Sequence, residues 1–278
     1  MTTFETAKLI EFENYLYEEE KSINTIGKYI RDVRAFFEYI GSCTLTKQTV
    51  LKYKKYLSEA KAITSANSML ASINAFFRFI GKIELCVKYF KIQRDAFCSE
   101  EKELSREEYL RLVNTAQQKG NERLSLILQT ICGTGMRVSE LQYVTVEAAR
   151  AGEIKVRCKG KTRTILIVKK LTRLLLNYAK KQGIRTGIIF VTSKGSPVSR
   201  TSIWRDMKKL CADAKVSHEK VFPHNLRHLF ARAFYNMEKD IAKLADILGH
   251  TSINTTRIYI ITSSSEHRRK MENMRLVM

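Results

Sequence analysis

The chain has 278 residues, of which 44% are hydrophobic, and its 49 Lys and Arg against 28 Asp and Glu give a formal net charge of +21 at pH 7. This length exceeds that of a typical single domain, and the charge favours a polyanionic partner, because each phosphate neutralised by Lys or Arg releases counterions. No apolar run approaches about 18 residues, so no membrane-spanning helix is expected.

The positive charge is concentrated in the second part of the chain. Residues 1–100 hold 15 basic and 12 acidic side chains, whereas residues 101–278 hold 34 and 16. The N-terminus "MTTFETAKLIEFENYLYEEEK" is acidic and amphipathic, unlike a signal peptide. Six scattered cysteines without a CxxC pair argue against a zinc ribbon or a disulfide framework, which together with the N-terminus predicts a cytoplasmic protein.

The first 90 residues follow a helical pattern of apolar positions and predict four helices. Their start signals are Thr3 or Thr6, Ser22, Thr46 and Thr64. The segments "AFFEYIG" (35–41) and "AFFRFIG" (75–81) share an aromatic end and a terminal glycine. Two core helices closed by the same kind of cap explain this likeness as well as an ancestral repeat does.

A linker is predicted at 92–101, where the helical period is lost and charge accumulates. It separates a helical domain at 1–91 from a second domain at 102–278. The second domain opens with "LSREEYLRLVNTA", in which Ser105 and Glu108 form a capping box at the start of a helix.

The second domain is predicted to be mostly helical with a small sheet. A helix at about 121–131 precedes "EIKVRCKGKTRTILIV", whose alternation on either side of Gly160 is typical of a β-hairpin, and "GIIFVT" favours a third strand. Helices follow Ser199, with Pro223 placed at the start of one. The predicted fold class is therefore mainly α with a small β-sheet.

The first group of candidate site residues is in "CGTGMRVSEL". Its glycines at 133 and 135 interrupt the preceding helix and place Arg137 on the first turn of a new one. Glu140 lies three residues later on the same helix face and can hold the guanidinium. A purely structural ion pair between Arg137 and Glu140 is the alternative.

The second group is in "FPHNLRHLFARAF", where His224 and Arg227 share a helix face and His228 lies one turn beyond His224. Two histidines four residues apart can chelate zinc, but Asn225 stands where the glutamate of an HExxH helix would be. No carboxylate cluster suggests magnesium. The pattern favours metal-free chemistry. Considered by itself, His228 is expected to be a histidine on a helix whose ring nitrogens are hydrogen-bonded.

The third group is in "LGHTSINTTRIYI", which separates His250 from Tyr259 by nine positions. A tyrosine between Ile258 and Ile260 is ordinarily a packed aromatic with its hydroxyl hydrogen-bonded. The hairpin lysines, Lys159 and Lys161, could likewise be no more than a solvated turn.

Taken in order, "TGMRVSEL", the hairpin lysine, "HNLRH" and "LGHTSINTTRIY" resemble the motifs of the tyrosine recombinase and integrase family of DNA strand-transfer enzymes. The resemblance covers 101–278 and implies an α+β catalytic domain. A weaker likeness over 1–90 implies a helical, SAM-like core-binding domain. The family's catalytic set falls on Arg137, Lys159, His224, Arg227, His250 and Tyr259. The turn "CKGKTR" is a residue shorter than is common, so Lys161 is a rival to Lys159.

The resemblance implies that Tyr259 attacks a scissile phosphate and becomes joined to the 3′ end of the strand, while Lys159 protonates the departing 5′ oxygen. No metal, cofactor or ATP is implied. The expected partners are double-stranded DNA at specific sites and a synaptic tetramer of the chain on DNA. Besides Lys161, the residues expected to contact DNA lie on the second and fourth helices: Lys28, Arg31, Arg34 and Arg78.

Two other functions share parts of this pattern. A type IB topoisomerase-like enzyme uses the same chemistry to reseal one strand, and a non-catalytic DNA-binding protein could keep the basic fold. Among recombinases, a first helix expected at about residue 3 predicts the two-domain layout of Xer or transposon integrases, without an arm-binding domain. After Tyr259, a capping box at Ser263 and Glu266 predicts a short tail helix that docks on a neighbouring subunit or folds back on its own domain.

Overall fold

The computed structural model describes residues 3–92, 102–158, 161–250, 252–259 and 271–274, although the side chains of residues 3–6, 157, 158 and 161 are not included. The chain divides into two compact units, Met1–Arg94 and Asp95–Met278. The linker predicted at 92–101 lies, apart from Ile92, outside the described residues.

In the described part of the first unit there are four α-helices, α1 (Thr3–Glu18), α2 (Ile23–Ile40), α3 (Lys47–Ala60) and α4 (Ile63–Phe79), and then a 3₁₀ helix (Ile83–Leu85). Ser22 and Thr46 cap α2 and α3 as predicted, each accepting a hydrogen bond from the third residue of its helix. The predicted start at Thr64 is wrong. Ala62, with φ −58° and ψ 140°, is the N-cap of α4 and makes no side-chain hydrogen bond.

The core of the first unit is aromatic. Phe12 of α1 meets Phe76 of α4 edge to face at 5.2 Å between ring centroids, and Phe37 of α2 meets Phe76 at 5.5 Å. Such contacts add to the free energy gained by burying the rings. The aromatic segments of α2 and α4 therefore pack into the same core. This is consistent with both explanations of their likeness, a shared kind of helix cap and an ancestral repeat.

Two asparagines of α4 hold the segment that follows it. The side-chain amide of Asn74 donates to the carbonyl of Val87 and accepts from its backbone N–H, each at 2.9 Å. Asn67 makes the same pair with Phe90, at 2.9 and 2.8 Å. Both backbone groups of Val87 and of Phe90 are therefore satisfied outside any helix or sheet.

The second unit begins with two helices, α5 (Arg106–Gln118) and α6 (Glu122–Thr134), and the predicted capping box at Ser105 and Glu108 is present. A 3₁₀ helix (Val138–Tyr143) and α7 (Val146–Ala151) follow. Strands β1 (Glu153–Cys158) and β2 (Lys161–Leu166) then pair antiparallel, with Val156 opposite Arg163. The remaining helices are α8 (Lys169–Lys181), α9 (Arg200–Leu210), α10 (Pro223–Glu238), α11 (Ile241–Leu248) and α12 (Ile253–Arg257).

Helix α6 is the centre of the second unit. Its side chains Leu128 and Ile131 are fully buried, and it packs against α5, α8 and α10. Its C-terminus, where Gly135 reverses the chain with φ +65°, therefore lies beside α10. This contact brings two of the candidate motifs together.

Two predictions for the second unit differ from the structure. The segment "GIIFVT" makes only isolated bridges, Ile188 with Thr145 and Val191 with Pro197, and no third strand is present in the described part of the chain. Arg137 precedes a 3₁₀ helix in an extended conformation and does not lie on the first turn of an α-helix. The tail capping box at 263–266 lies outside the described residues, and a single helical turn is seen at 271–273.

Candidate active site

Arg227 joins two helix ends in the interior of the second unit. It lies on the second turn of α10, which begins at Pro223 as predicted, and only 1% of its surface is exposed. Its Nη1 donates to the carbonyl of Gly135 at 2.6 Å, beyond α6, and its Nη2 donates to that of Leu248 at 2.8 Å, at the end of α11. The guanidinium therefore satisfies carbonyls that the helices leave unpaired.

Gly135 allows the close approach of α10, which carries Arg227, to the end of α6. It has a left-handed conformation, and a Cβ built on it would lie 2.4 Å from Cδ1 of Phe230 on α10. A larger residue would therefore force α6 and α10 apart as well as strain the backbone. The glycine that sequence analysis identified as a helix breaker also determines how near Arg227 lies to the α6 terminus.

His250 lies immediately after α11 and contacts the same guanidinium. Its Nε2 lies 2.8 Å from Nη2 of Arg227, and its Nδ1 lies 2.9 Å from Oγ1 of Thr256. Burial lowers the pKa of His250 to about 4, and the positive charges of Arg227, Arg137 and Arg163 act in the same direction. The ring is therefore neutral near pH 7 and fixed from both sides.

Tyr259 is buried among these groups, with 4% of its surface exposed. Its ring stacks on that of His250 at 5.5 Å and 12°, and the edge-on ring of His228 lies 4.4 Å from it. The hydroxyl of Tyr259 lies beside the guanidinium of Arg227, and this interaction opposes the fall that burial causes in the pKa of Arg227. Tyr259 is thus both a packed aromatic, as its apolar neighbours in the sequence suggest, and a hydroxyl held against a cation.

The two histidines of α10 line the same space. The His224 ring lies 5.8 Å from that of Tyr259 and 4.7 Å from that of His228. Burial is the main cause that lowers the pKa of both, His228 to about 4, with Arg227 adding to each shift. Among the described residues Nδ1 of His228 has no hydrogen-bond partner although it is buried, so the expectation of a satisfied helix histidine is not met.

Arg137 reaches the site from the turn after α6. Its backbone N–H donates to Oε2 of Glu140 at 2.7 Å and its Nη1 donates to Oε1 at 3.1 Å, so Glu140 holds the guanidinium as predicted. The side chain of Arg137 is 39% exposed, whereas that of Glu140 is 5% exposed. The ion pair therefore fixes Arg137 and leaves its outer face open to a ligand.

Arg163 is a site residue that the sequence analysis missed. It lies on β2, and its guanidinium donates to Oε2 of Glu140 and to the carbonyl of Ile247. Alternation along the strand contained the signal, because Arg163 has the same parity as Ile165 and Ile167, both buried. A charged residue on the inward face of a hairpin requires a partner inside.

The catalytic role of a hairpin lysine remains a prediction. Lys159 lies outside the described residues, and Lys161 begins β2 without a described side chain. The register of β1 with β2 places Cys158 opposite Lys161, at the end of the hairpin whose second strand carries Arg163.

Over the described ranges, neither a metal-binding cluster nor a membrane-spanning helix is found. No group of three or more His, Cys, Asp and Glu suited to a metal ion occurs there. None of the helices in those ranges is both long enough and apolar enough to cross a membrane.

The four basic residues proposed to contact DNA from the first unit are not equivalent. Arg31 and Arg34 of α2 and Arg78 of α4 are exposed. Lys28 is tied internally, because its Nζ lies 2.5 Å from Oδ2 of the buried Asp32 and also donates to the backbone and side chain of α4. Lys28 is therefore less available to an external anion than the three arginines.

Comparison with known proteins places both units. Residues 102–266 match the phage integrase family, and residues 9–82 match the N-terminal SAM-like domain of phage integrases. The chain is 30% identical to tyrosine recombinase XerA of Pyrococcus furiosus over 99% of this chain and 96% of that protein. It is 32% identical to tyrosine recombinase XerH of Campylobacter jejuni, over 56% of this chain and about half, 47%, of that protein.

A solved structure with a similar fold is the lambda integrase tetramer bound to a Holliday junction. The TM-score is 0.71 at 18% identity, covering 91% of this chain and 76% of that one. The integrase match spans more than half of the chain, and the likeness to XerA extends over nearly all of it. The chain therefore belongs to the phage integrase family of tyrosine recombinases.

Proposed function

We propose that this chain is a site-specific DNA recombinase that cuts and rejoins strands through a covalent 3′-phosphotyrosyl intermediate on Tyr259. One observation carries the assignment to this residue. The ring of Tyr259 is buried among those of His224, His228 and His250, and His250 in turn contacts the buried guanidinium of Arg227.

The chemistry requires a cationic pocket. When the Tyr259 oxygen attacks a phosphodiester, an O–P bond forms, the bond to the 5′ oxygen breaks, and negative charge grows on the non-bridging oxygens. Arg137 and Arg227 are suited to hold that charge, because guanidinium groups offer paired donors to phosphate and stay ionised. A tyrosine hydroxyl is a weak nucleophile unless a nearby base takes its proton or cations surround it.

The histidines have different parts in this proposal. His250 is neutral and bonded through Nε2 to Arg227, which supports a role in orienting that guanidinium beside the stacked tyrosine ring. His224 keeps an exposed edge, so it is suited to donate to a phosphate oxygen or to accept the phenol proton. His228 supports the Tyr259 ring from its edge.

A lysine of the hairpin turn completes the step by protonating the departing 5′ oxygen. We assign this to Lys159, with Lys161 as its rival. The phosphotyrosyl bond conserves the free energy of the broken phosphodiester, so a 5′ hydroxyl from a second duplex can reverse the reaction without ATP. We expect neither a metal nor a cofactor to take part.

The proposed substrate is double-stranded DNA at specific sites, bound by both units in a synaptic tetramer inside the cytoplasm. The net charge of +21 and the exposed arginines of α2 and α4 support DNA binding. The lambda integrase tetramer on a Holliday junction supports the assembly. We propose that the tail docks on a neighbouring subunit, since Met271 and Met274 are both exposed.

Deleting residues 272–278 tests the tail. The truncated chain should fold and bind DNA as a monomer but assemble and cleave differently, as measured by sedimentation and by cleavage. Normal recombination by that chain, or its failure to fold, would contradict trans docking.

The experiment that tests the function is covalent trapping on a nicked suicide substrate, which releases a short strand and prevents rejoining. Wild type should form a protein–DNA adduct, and Tyr259→Phe should form none while binding DNA nearly as well. Tyr235→Phe is the matched control, because Tyr235 packs in the same aromatic cluster and should still allow trapping. An adduct with the Tyr259 variant would contradict the assignment.

The DNA products of the reaction distinguish recombination from the type IB topoisomerase-like alternative. Joints between two sites support recombination, whereas relaxation of supercoiled DNA alone supports nicking and resealing. A non-catalytic DNA-binding protein would give neither product.

A further inference from the structure

Arg163 links three segments of the candidate active site. It belongs to β2 of the lysine hairpin, its Nη2 donates to Glu140 after α6, and its Nη1 donates to the carbonyl of Ile247 at 2.8 Å in the last turn of α11. Its side chain is 16% exposed. These contacts connect residues that lie 23 and 84 positions away in the chain.

The first link controls Arg137. Glu140 is buried and shares its two oxygens between the guanidinium of Arg137 on one side and that of Arg163 on the other. The Arg163 contact adds a third hydrogen bond to a carboxylate that already accepts two from Arg137, and so restricts its rotation further. Without Arg163, Glu140 would be held by Arg137 alone, and the pair could shift together.

The second link controls the segment that carries His250. Gly249 follows α11 with φ +64°, and a Cβ at this position would lie 2.4 Å from Cδ of Arg163. The arginine stem therefore lies directly against the residue that precedes His250. Its contact with Ile247 holds the C-terminus of α11, from which Gly249 and His250 continue.

Stability alone is a poor reason for an arginine here. Its Nε is buried and has no hydrogen-bond partner within the described ranges, and a buried donor left unpaired costs free energy. Only the two outer nitrogens are used, and each is aimed at a segment that holds a candidate catalytic residue.

We infer that Arg163 is a positioning residue for strand cleavage, acting on Arg137 through Glu140 and on His250 through the end of α11. The inference rests on the proposed function, because it assigns Arg163 to the same reaction. A guanidinium is needed, since its rigid fork presents two separate nitrogens to two acceptors, whereas all the donors of a lysine lie on one nitrogen.

The principal variant is Arg163→Lys, which keeps the charge and the stem. We expect single-turnover formation of the Tyr259 adduct to slow by on the order of 100-fold, as when reacting groups are misplaced by about 1 Å, while the DNA concentration for half-maximal rate changes little. Lys155→Ala is the control, because it removes a charge from the exposed face of the same hairpin. It should keep the wild-type rate.

A double-mutant cycle distinguishes positioning from general damage. If Arg163 acts through Arg137, then adding Arg163→Lys to Arg137→Lys should slow the adduct little beyond Arg137→Lys alone. Independent multiplication of the two losses would contradict this route. A substrate with a 5′-bridging sulfur should leave the Arg163→Lys defect in place, whereas rescue by sulfur would show that Arg163 acts through the hairpin lysine instead.

Gly249→Ala tests the same contact from the other side. Gly249 and Gly152 both end helices in left-handed conformations, but a Cβ at Gly152 meets nothing within 4 Å. Both alanines strain the backbone, and only the one at 249 displaces Arg163. Slower cleavage for Gly249→Ala than for Gly152→Ala is expected, and equal rates would contradict the inference.

These outcomes are separable from failure of the proposed function. If wild type forms no adduct, the function is wrong. If wild type forms the adduct and folded Arg163→Lys, checked by its thermal melt, forms it at the same rate, then the function stands and the positioning role is wrong.

Discussion

Arg227 and His250 fix each other's state, because Nη2 of the arginine lies 2.8 Å from Nε2 of the histidine. A guanidinium nitrogen can only donate, so Nε2 accepts, and the ring proton belongs to Nδ1, which donates to Oγ1 of Thr256. Protonation of Nε2 would place two donors against each other. The geometry therefore agrees with the pKa of about 4 for His250.

The first prediction concerns acid. Unfolded histidines take up a proton near pH 6.5, whereas His228 and His250 in the folded protein take one up only near pH 4. Unfolding therefore binds protons between these values, and stability falls as pH drops through that window. His228 should remove on the order of 2 kcal/mol between pH 7 and 5, and the more exposed His250 should remove less because solvent screens its interactions, both measured by denaturant unfolding.

His228→Phe provides the control for this acid effect, because phenylalanine keeps a ring beside Tyr259 and cannot titrate. The loss of unfolding free energy between pH 7 and 5 should become smaller in this variant by the amount that His228 contributes. An unchanged dependence in this variant would show that His228 does not contribute.

The second prediction separates two arginines with similar proposed chemistry. Arg137→Ala and Arg227→Ala should each raise the cleavage barrier by about 3 kcal/mol, as removal of one oxyanion donor does. Arg227→Ala should also lower the melting temperature more than Arg137→Ala does, because it leaves the carbonyls of Gly135 and Leu248 without their buried donor, whereas Glu140 keeps Arg163 as a partner. Wild-type cleavage by either variant would mean that other residues bind the phosphate.

The third prediction decides between the hairpin lysines. A 5′-bridging sulfur leaves without needing a proton, so it should restore cleavage by Lys159→Ala, measured against the same variant on ordinary DNA. Lys161→Ala is the comparison. Restoration of Lys161→Ala alone would assign the general acid to Lys161 and contradict the choice of Lys159.

The fourth prediction uses the ion pair of Lys28. Arg31→Ala should weaken DNA binding and reduce the slope of log affinity against log salt by about 1, as the loss of one phosphate contact does. Lys28→Ala should change the slope less and destabilise the first unit more, because the buried Asp32 loses its cation. Equal slopes for the two variants would show that Lys28 leaves Asp32 to bind DNA.

Local sequence signals predicted most of the elements. Ser22, Thr46 and Ser105 cap helices where expected, and alternation around Gly160 predicted the hairpin. The predicted helix start at Thr64 was wrong because α4 begins at Ile63, after an N-cap, Ala62, that has no capping side chain. The prediction of a third strand at "GIIFVT" was wrong because an apolar run indicates that a segment is buried but does not indicate which backbone it pairs with.

The candidate site was predicted as a set of residues but not as an arrangement. Sequence spacing relates Arg137 to Glu140 and His224 to Arg227, since each pair lies within one turn. It cannot show that Arg227 binds carbonyls 92 and 21 residues away, or that Arg163 reaches Glu140, because those contacts depend on packing between helices. The parity of Arg163 with buried isoleucines was the one signal available and was not used.

The paired amides of Asn67 and Asn74 have a consequence for motion in the first unit. They bind Val87 and Phe90 through both backbone groups, as a neighbouring strand would. The backbone N–H groups of these two residues are thereby shielded from solvent exchange, while Lys88 and Tyr89 between them are exposed. The cooperative unit of the first domain accordingly extends eleven residues beyond α4, to Phe90, although no helix or strand covers its last part.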